Sequence, residues 1–503
     1  MSAGNADART ARAFHDRTTH TPQSVRTSGH TLEWDIKPLP FKIYPALPAR
    51  PLPREFGPVD ADTLAALGAS EFPRAGRLTL EALAALLYLT AGVTKRKTYP
   101  GGAEVLFRAA ASTGALYQTE VYVAAGAVDG LEPGLHHFNP GDFALRRLRA
   151  GDVRAPLAAA AAEPAVGRRA ATVILTAIYW RNTWKYQARG WRHLYWDSGT
   201  MLANLMAAGR ALGLAPRLLA GFVDAQVNAL LGVDETREAA LALVPLGPDT
   251  APAPAAETPP IAHETVPLST EEVDYPDLVA MQRASMLPDA DAVRAWRAAR
   301  PPAGGRPGAA ATPLPAGRRS AGRRLDDTIQ HRGSSRRFSH APLTAEELAT
   351  ALWCATRPVD ADVPGGLVDP FLVVNAVEGV RPGAHRYWPA AHALELIAPG
   401  EFRRQAAYLT LEQALGGDAA ATIFFLAPLD ALLAAWGNRG YRLANLEAGL
   451  AGGRAYLAAY AQRFGASGLT FYDREVVRFF GAPAEGLDAV FVTALGRGLR
   501  SPW

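Results

Sequence analysis

The 503-residue chain has a single cysteine, Cys354, which excludes an internal disulfide and any metal site built from several thiolates. It has no run of 18 apolar residues, so no segment reads as a membrane-spanning helix, and its polar N-terminus carries no signal-peptide pattern. Excess charge is also scarce. The 52 Lys and Arg against 48 Asp and Glu leave +4, too little to mark a nucleic-acid surface, and neither zinc-finger spacing nor an aromatic-plus-basic RNA signature occurs. What remains, 49% hydrophobic and 20% charged, is the composition of a globular protein large enough for two or three domains. The expectation is a cytoplasmic protein with no nucleic-acid and no membrane partner. Cys354 lies in the apolar stretch 346–356 and reads as a small core hydrophobe rather than a nucleophile.

One order of motifs runs through the chain twice. An apolar helix (81–90), a Gly-containing turn into a strand (112–123), the stretch GLEPGLHHFNP (130–140) and a long helix near 197–213 make the first copy. The second has EELATALWCAT (346–356), GGLVDPFLVVN (365–375), GVRPGAHRYWP (379–389) and a helix near 441–464. A duplication of this kind implies two similar domains packed as a pseudo-dimer, with a site between them. The expected layout is an extended N-terminal arm (1–60), domain one (61–247), a Pro/Ala-rich linker with a short helix (248–324) and domain two (325–503). Within the arm, 1–30 reads as irregular and polar, and 31–60 as extended, because its prolines oppose helix and central strand alike. Within the linker, 300–324 reads as a flexible basic stretch. Strands are expected at 118–125, 172–178 and 240–245, and again at 370–376, 421–427 and 488–495. With helices between them, the fold class is α+β.

In the helix at 200–213, Leu202, Leu205, Met206 and Leu212 share one face. Gly209 falls on that stripe, where its missing side chain would admit a neighbouring helix. Gly213 suits a C-terminal cap. Leu443, Leu446, Leu450 and Leu457 make a comparable stripe in the second copy, and an ordinary core accounts for both stripes equally well.

Three clusters carry chemistry. Arg332-Gly333-Ser334-Ser335-Arg336-Arg337 precedes a helix whose Thr344 and Glu347 form a capping box. Guanidiniums with hydroxyls suit a phosphate, although a solvated surface loop explains them as well. Ser112-Thr113-Gly114-Ala115-Leu116 has the small residues that let backbone amides approach a flat ring; a plain turn into a strand is the alternative. The run 180–195 places Lys185 among Arg181, Arg189 and Arg192. Like charges and partial burial would lower its pKa toward that of a general base, with Tyr186 sharing the proton. Cation–π packing at a domain surface is the competing reading.

Together these clusters resemble the SagB-type, ThcOx-like dehydrogenases of the FMN-dependent nitroreductase superfamily. The arm pattern His15-x-Arg17-Thr18-x-His20, Leu32-x-Trp34, Pro38-x-Pro40-Phe41-Lys42-x-Tyr44 is similar to that family's. So are Ser112 to Glu120, the set Arg181, Lys185, Tyr186, Arg189 and Arg192, and Thr470 to Val476. The chain departs at Asp197-Ser198-Gly199-Thr200, where the family has Glu-x-Gly-His, and at Thr113 and Gln118. The resemblance implies two tandem nitroreductase-like domains forming an intrachain pseudo-dimer. It implies FMN held by Arg332, Ser334, Arg336, Arg497 and Arg500 from half two and by Ser112, Thr113, Gly114, Ala115 and Leu116 from half one. Lys185 and Tyr186 would be the catalytic pair. Half one lacks the phosphate grip and half two lacks the Lys-Tyr pair, so one FMN per chain is expected. The implied activity is oxidation of thiazoline or oxazoline rings to azoles in peptide natural products, on a peptide or carrier-protein-bound substrate and alongside partner biosynthetic enzymes. Desaturation of another tethered or small substrate, a flavin-free scaffold, and pairing of two chains stay open.

Overall fold

Each domain is built outward from a capped apolar helix. Leu80–Ala91 starts at Thr79, whose hydroxyl accepts from the Ala82 amide, and Ala345–Thr356 starts at Thr344 with the expected capping box. Both helices are apolar on most faces and are buried accordingly. The computed structural model describes residues 4–68, 73–98, 102, 104–255, 257–301, 305, 308 and 311–499.

The two sheets have the same strand order. In domain one it is Ala49–Pro51, Ala144–Ala150, Gly134–Asn139, Thr119–Ala125, Arg169–Ile178, Glu238–Asp249. In domain two it is Ala311–Pro313, Ala393–Pro399, Gly383–Trp388, Asp369–Val374, Ala421–Ala427, Asp488–Gly496, with Gly465–Gly468 added at the end. All these pairings are antiparallel. The duplicated stretches 130–140 and 379–389 are hairpin strands, which their mixed polarity concealed. The fold is α+β with two tandem copies, as the repeat implied.

The copies meet through two long helices, Gly190–Ala211 and Arg439–Ala461, both buried along most of their length. They cross backbone to backbone. A Cβ on Gly199 would lie 2.4 Å from the Leu446 carbonyl oxygen, and one on Gly449 would lie 2.2 Å from that of Trp196. The crossing therefore uses Gly199 and Gly449. Gly209 faces Pro216 instead, at 2.8 Å from a built Cβ, so its expected role passes to Gly199. Gly213 does follow the helix, at φ +71°. Reciprocal ion pairs reinforce the crossing. Arg189 and Arg192 of domain one share Asp473 of domain two, and Arg439 and Arg442 of domain two share Asp224 of domain one.

Two expectations fail in the flanking segments. Residues 1–30 contain helices Arg9–Arg17 and Pro22–Arg26, because the first has a complementary surface on domain two. There Phe14 is buried, Arg12 pairs with Asp430 and Asp488, and Asn438 accepts from the Ala11 amide. The extended part then docks on domain one, with Lys42 bonded to Glu238 at 2.6 Å and to Tyr122 at 2.9 Å. The linker is likewise anchored. It contributes two helices, Pro276–Ala284 and Ala290–Ala298, and Trp296 buries itself against Trp436. The described part of 300–324 is pinned too: Asp62 accepts from the Ala321 and Gly322 amides and the Ser320 hydroxyl.

Candidate functional site

The loop 112–118 enters the strand Thr119–Ala125 through a tight turn at Thr113–Ala115, with Gly114 at φ +63°. Space also demands glycine there: a Cβ would stand 2.9 Å from the Tyr186 hydroxyl. Asp197, inside the domain-one long helix, holds the loop from behind. Its carboxylate accepts from the Ser112 hydroxyl (2.6 Å), the Thr113 amide (2.8 Å), the Thr113 hydroxyl (2.7 Å) and the Gln118 side-chain amide (2.8 Å). Full burial nonetheless wins, and pushes Asp197 up to about 6. The departures at Thr113, Gln118 and Asp197 thus form one hydrogen-bonded unit.

Lys185 and Tyr186 close the helix Tyr179–Tyr186, which breaks at Gln187 with φ +51°. Lys185 is half-buried. Its pKa is lowered, chiefly by burial and then by Arg336 and Lys37. The direction matches the expectation, but the charges responsible do not. Arg181 is spent on Glu120 and on the Leu39 and Tyr117 carbonyls, tying the arm to domain one. Arg189 and Arg192 are spent on Asp473. These guanidiniums brace domain contacts, and the sequence hid their pairing because their carboxylates lie far away in the chain. Tyr186 is partly buried, with its pKa raised by desolvation and then by Asp197, which disfavours the phenolate. It meets His193 edge-on at 4.4 Å.

The Arg cluster of domain two lies over this corner of domain one. Arg336 is exposed and within the field of Lys185. Arg332 donates across the domain boundary to the carbonyls of Arg108 (2.8 Å) and Ala109 (3.0 Å), just ahead of Ser112. It acts as a tie between the halves, so the anion-facing charge falls to Arg336 and Arg337. Neither has a carboxylate partner among the described residues. Ser334 bonds Tyr456 of the domain-two long helix at 3.2 Å. Arg497 turns to Glu347, at 2.7 and 2.8 Å, which neutralises it where a phosphate grip was expected. Arg500 lies outside the described residues. The structure therefore brings together Ser112–Leu116, Lys185, Tyr186, Arg332, Ser334 and Arg336, and holds Arg497 in a local ion pair.

The corresponding corner in the other half differs in chemistry. Where domain one has Lys185 and Tyr186, domain two has Ala435 and buried Trp436, followed by Gly437 in the same positive-φ break as Gln187. Glu447 stands where Asp197 does and accepts from the Gly366 and Leu367 amides at 2.8 and 2.7 Å, but no hydroxyl joins it. This acidic-x-Gly register, Asp197–Gly199 against Glu447–Gly449, is the sequence signal for Asp197, and only the repeat alignment exposes it. Cys354 is buried with its thiol pushed up to about 12, as suits a core residue. Among the described residues no His, Cys, Asp and Glu group could hold a metal, and no helix is long and apolar enough to cross a membrane.

The donor types present suit the phosphate of FMN: the Arg336 and Arg337 guanidiniums are exposed and have no carboxylate partner among the described residues, while Ser334 is turned to Tyr456 of the long helix.

Comparison with known proteins matches both copies to one family. The Nitroreductase family profile matches residues 74–248 and 329–497, both copies. A crystal structure of a protein designated a nitroreductase from Anabaena variabilis is 28% identical. It covers 97% of this chain and 99% of its own, with a TM-score of 0.78. A protein designated a nitroreductase from Methanocaldococcus jannaschii is 29% identical over 171 residues, 34% of this chain and 81% of that protein. A chain of the E. coli microcin synthetase complex, solved with a truncated pro-MccB17 bound, reaches a TM-score of only 0.30 at 17% identity. It covers 48% of this chain and 94% of its own, and at that score it carries no argument.

Proposed function

The chain belongs to the nitroreductase family, and from that premise we propose that it is an FMN-dependent dehydrogenase that oxidises azoline rings to azoles in peptide natural-product biosynthesis. Its membership makes it an oxidoreductase of the nitroreductase type. The finer reading rests on one observation: Lys185 of half one, held half-buried and depressed in pKa, lies in the field of Arg336 of half two. This supports a base and an anion grip drawn from the two copies at one corner, since the other corner has Ala435 and Trp436 in place of the base.

Arg336, Arg337 and Ser334 would hold the phosphate end of the flavin, and the loop Ser112–Leu116 would face its ring. When bound, FMN supplies the two-electron acceptor for a substrate hydride. Lys185, as a neutral amine, takes the proton from the azoline α-carbon; burial and then Arg336 shift it toward that neutral form. The hydrogen at the β-carbon leaves as hydride, so the ring loses a proton and a hydride and becomes aromatic. Tyr186 stays protonated and positions the loop through its contact at Gly114. The substrate would be peptide- or carrier-bound, entering beside Trp34, which is 65% exposed and packs edge-on against Trp184 at 5.3 Å.

The test is a single-turnover assay of flavin-loaded protein on an azoline peptide, followed by mass spectrometry for loss of two hydrogens. Lys185→Ala should retain flavin and form no azole. Full turnover in that variant would remove Lys185 as the base.

A further inference from the structure

We propose that Tyr456, on the long helix Arg439–Ala461 of domain two, is a positioning residue that makes Ser334 a one-way donor to a phosphate. It thereby gives the chain a preference for a phosphorylated flavin over one without phosphate. This rests on the flavin reading of the site and not on the azoline reading.

Tyr456 is 2% exposed, so its hydroxyl proton needs an acceptor inside the protein. Two groups reach that hydroxyl: the Gly468 amide donates to it, and Ser334 Oγ lies 3.2 Å away. An amide can only donate, so the Tyr456 oxygen accepts there and its own proton goes to Ser334. The Ser334 oxygen is then engaged as an acceptor, and its proton is left over. Ser334 is only part-buried and has no other partner among the described residues. The order amide, phenol, serine thus ends in a spare O–H donor in the same loop as the exposed Arg336 and Arg337. Near neutral pH a phosphate monoester offers mainly acceptor oxygens, which suits such a donor. A flavin that ends in a hydroxyl brings no charge to it.

The extra edge strand of domain two supports the relay. Gly465–Gly468 pairs with Asp488–Gly496, which fixes the Gly468 amide. The Ala466 carbonyl accepts from the Ser335 amide at 2.9 Å, which fixes the loop.

The duplication shows that the fold itself does not require this device. In the register that sets Asp197 against Glu447, Met206 stands in place of Tyr456 and Leu218 in place of Gly468. Pro216 falls where Ala466 does, and the strand shrinks to an isolated pairing of Leu219 with Leu243. The Leu218 amide donates instead to the Asp360 carbonyl at 2.8 Å. Half one also lacks the arginine loop in its sequence, so the relay and the loop occur together.

Titrations of the full chain with FMN and with riboflavin, read by flavin fluorescence, test this in the wild type, Tyr456→Phe, Ser334→Ala and the double variant. The wild type should bind FMN more tightly than riboflavin. Tyr456→Phe keeps the ring and its volume. It should raise the Kd for FMN about 3–10-fold and leave that for riboflavin within about 2-fold. Ser334→Ala should show the same selective loss, and Tyr456→Phe should add nothing to it, because the phenol acts only through the serine. An unmoved Kd for FMN in either single variant would overturn the relay. So would an equal loss for both flavins, or additive losses in the double variant. Equal wild-type affinities for the two flavins, or no binding of either, would overturn it by removing the phosphate grip itself.

Discussion

Replacing Asp197 should uncouple the local order of the loop from the stability of the whole chain. Four donors converge on its carboxylate. The Ser112 and Thr113 hydroxyls can rotate to other acceptors, but the Thr113 amide and the Gln118 side chain cannot. At about 1.5–3 kcal/mol per bond to a charged group, Asp197→Ala strips about 3–6 kcal/mol from the loop. Against this stands the burial of the charge. Raising the carboxyl from 3.8 to about 6 disfavours its charged form by about 3 kcal/mol at neutral pH. Because the folded value is raised, the favourable contribution is present below the unfolded value and is lost as pH rises through about 6. Global unfolding of Asp197→Ala should therefore change by no more than about 3 kcal/mol at pH 7, while amide exchange at 113–118 accelerates by orders of magnitude and flavin retention falls. Asp197→Asn keeps one acceptor oxygen and loses the burial penalty. It should match or exceed the wild type in unfolding midpoint above pH 6, and lack the wild type's loss of stability between about pH 4 and 6. Hydrogen exchange with mass detection, run beside thermal unfolding across pH, reads both quantities. Wild-type protection of the loop and wild-type flavin retention in Asp197→Ala would refute the assignment of Asp197 as its anchor.

Further expectations concern the base and the helix crossing. Arg336→Gln removes one charge that depresses Lys185, so the pH at which kcat/KM rises should move to higher pH; an unmoved profile would separate the two residues. Gly199→Ala places a methyl 2.4 Å from a backbone oxygen that cannot rotate away, so the central helices must part. A destabilisation of at least about 1–3 kcal/mol is expected by denaturant titration, whereas Gly209→Ala meets only the Pro216 ring and should lose less.

Much of this architecture was legible because it repeats. The Thr344–Glu347 capping box, the apolar helices and the strand runs at 119–125 and 421–427 obey local rules, and local rules predicted them. The hairpin strands 134–139 and 383–388 escaped because His136, His137 and Arg386 break the apolar alternation that marks a strand. The helix Arg9–Arg17 escaped because its stability comes from Asp430, Asp488 and Asn438, over 400 residues away. At the site, the residue types around Lys185 were readable but their partners were not. Arg181, Arg189 and Arg192 are its neighbours in sequence, yet Glu120 and Asp473 claim them, and the charge that acts on Lys185 comes from Arg336 in the other half. Pairing is a tertiary property, and a one-dimensional cluster of arginines carries no record of it.

The most direct test of the central claim, a single composite flavin site formed by both halves, is the flavin content of the purified full chain after reconstitution with FMN, by absorbance and by released cofactor. One FMN per chain, with binding weakened both by Arg336→Gln in half two and by Asp197→Ala in half one, is the predicted result. Two FMN per chain, none, or a site sensitive to substitutions in one half alone would contradict it.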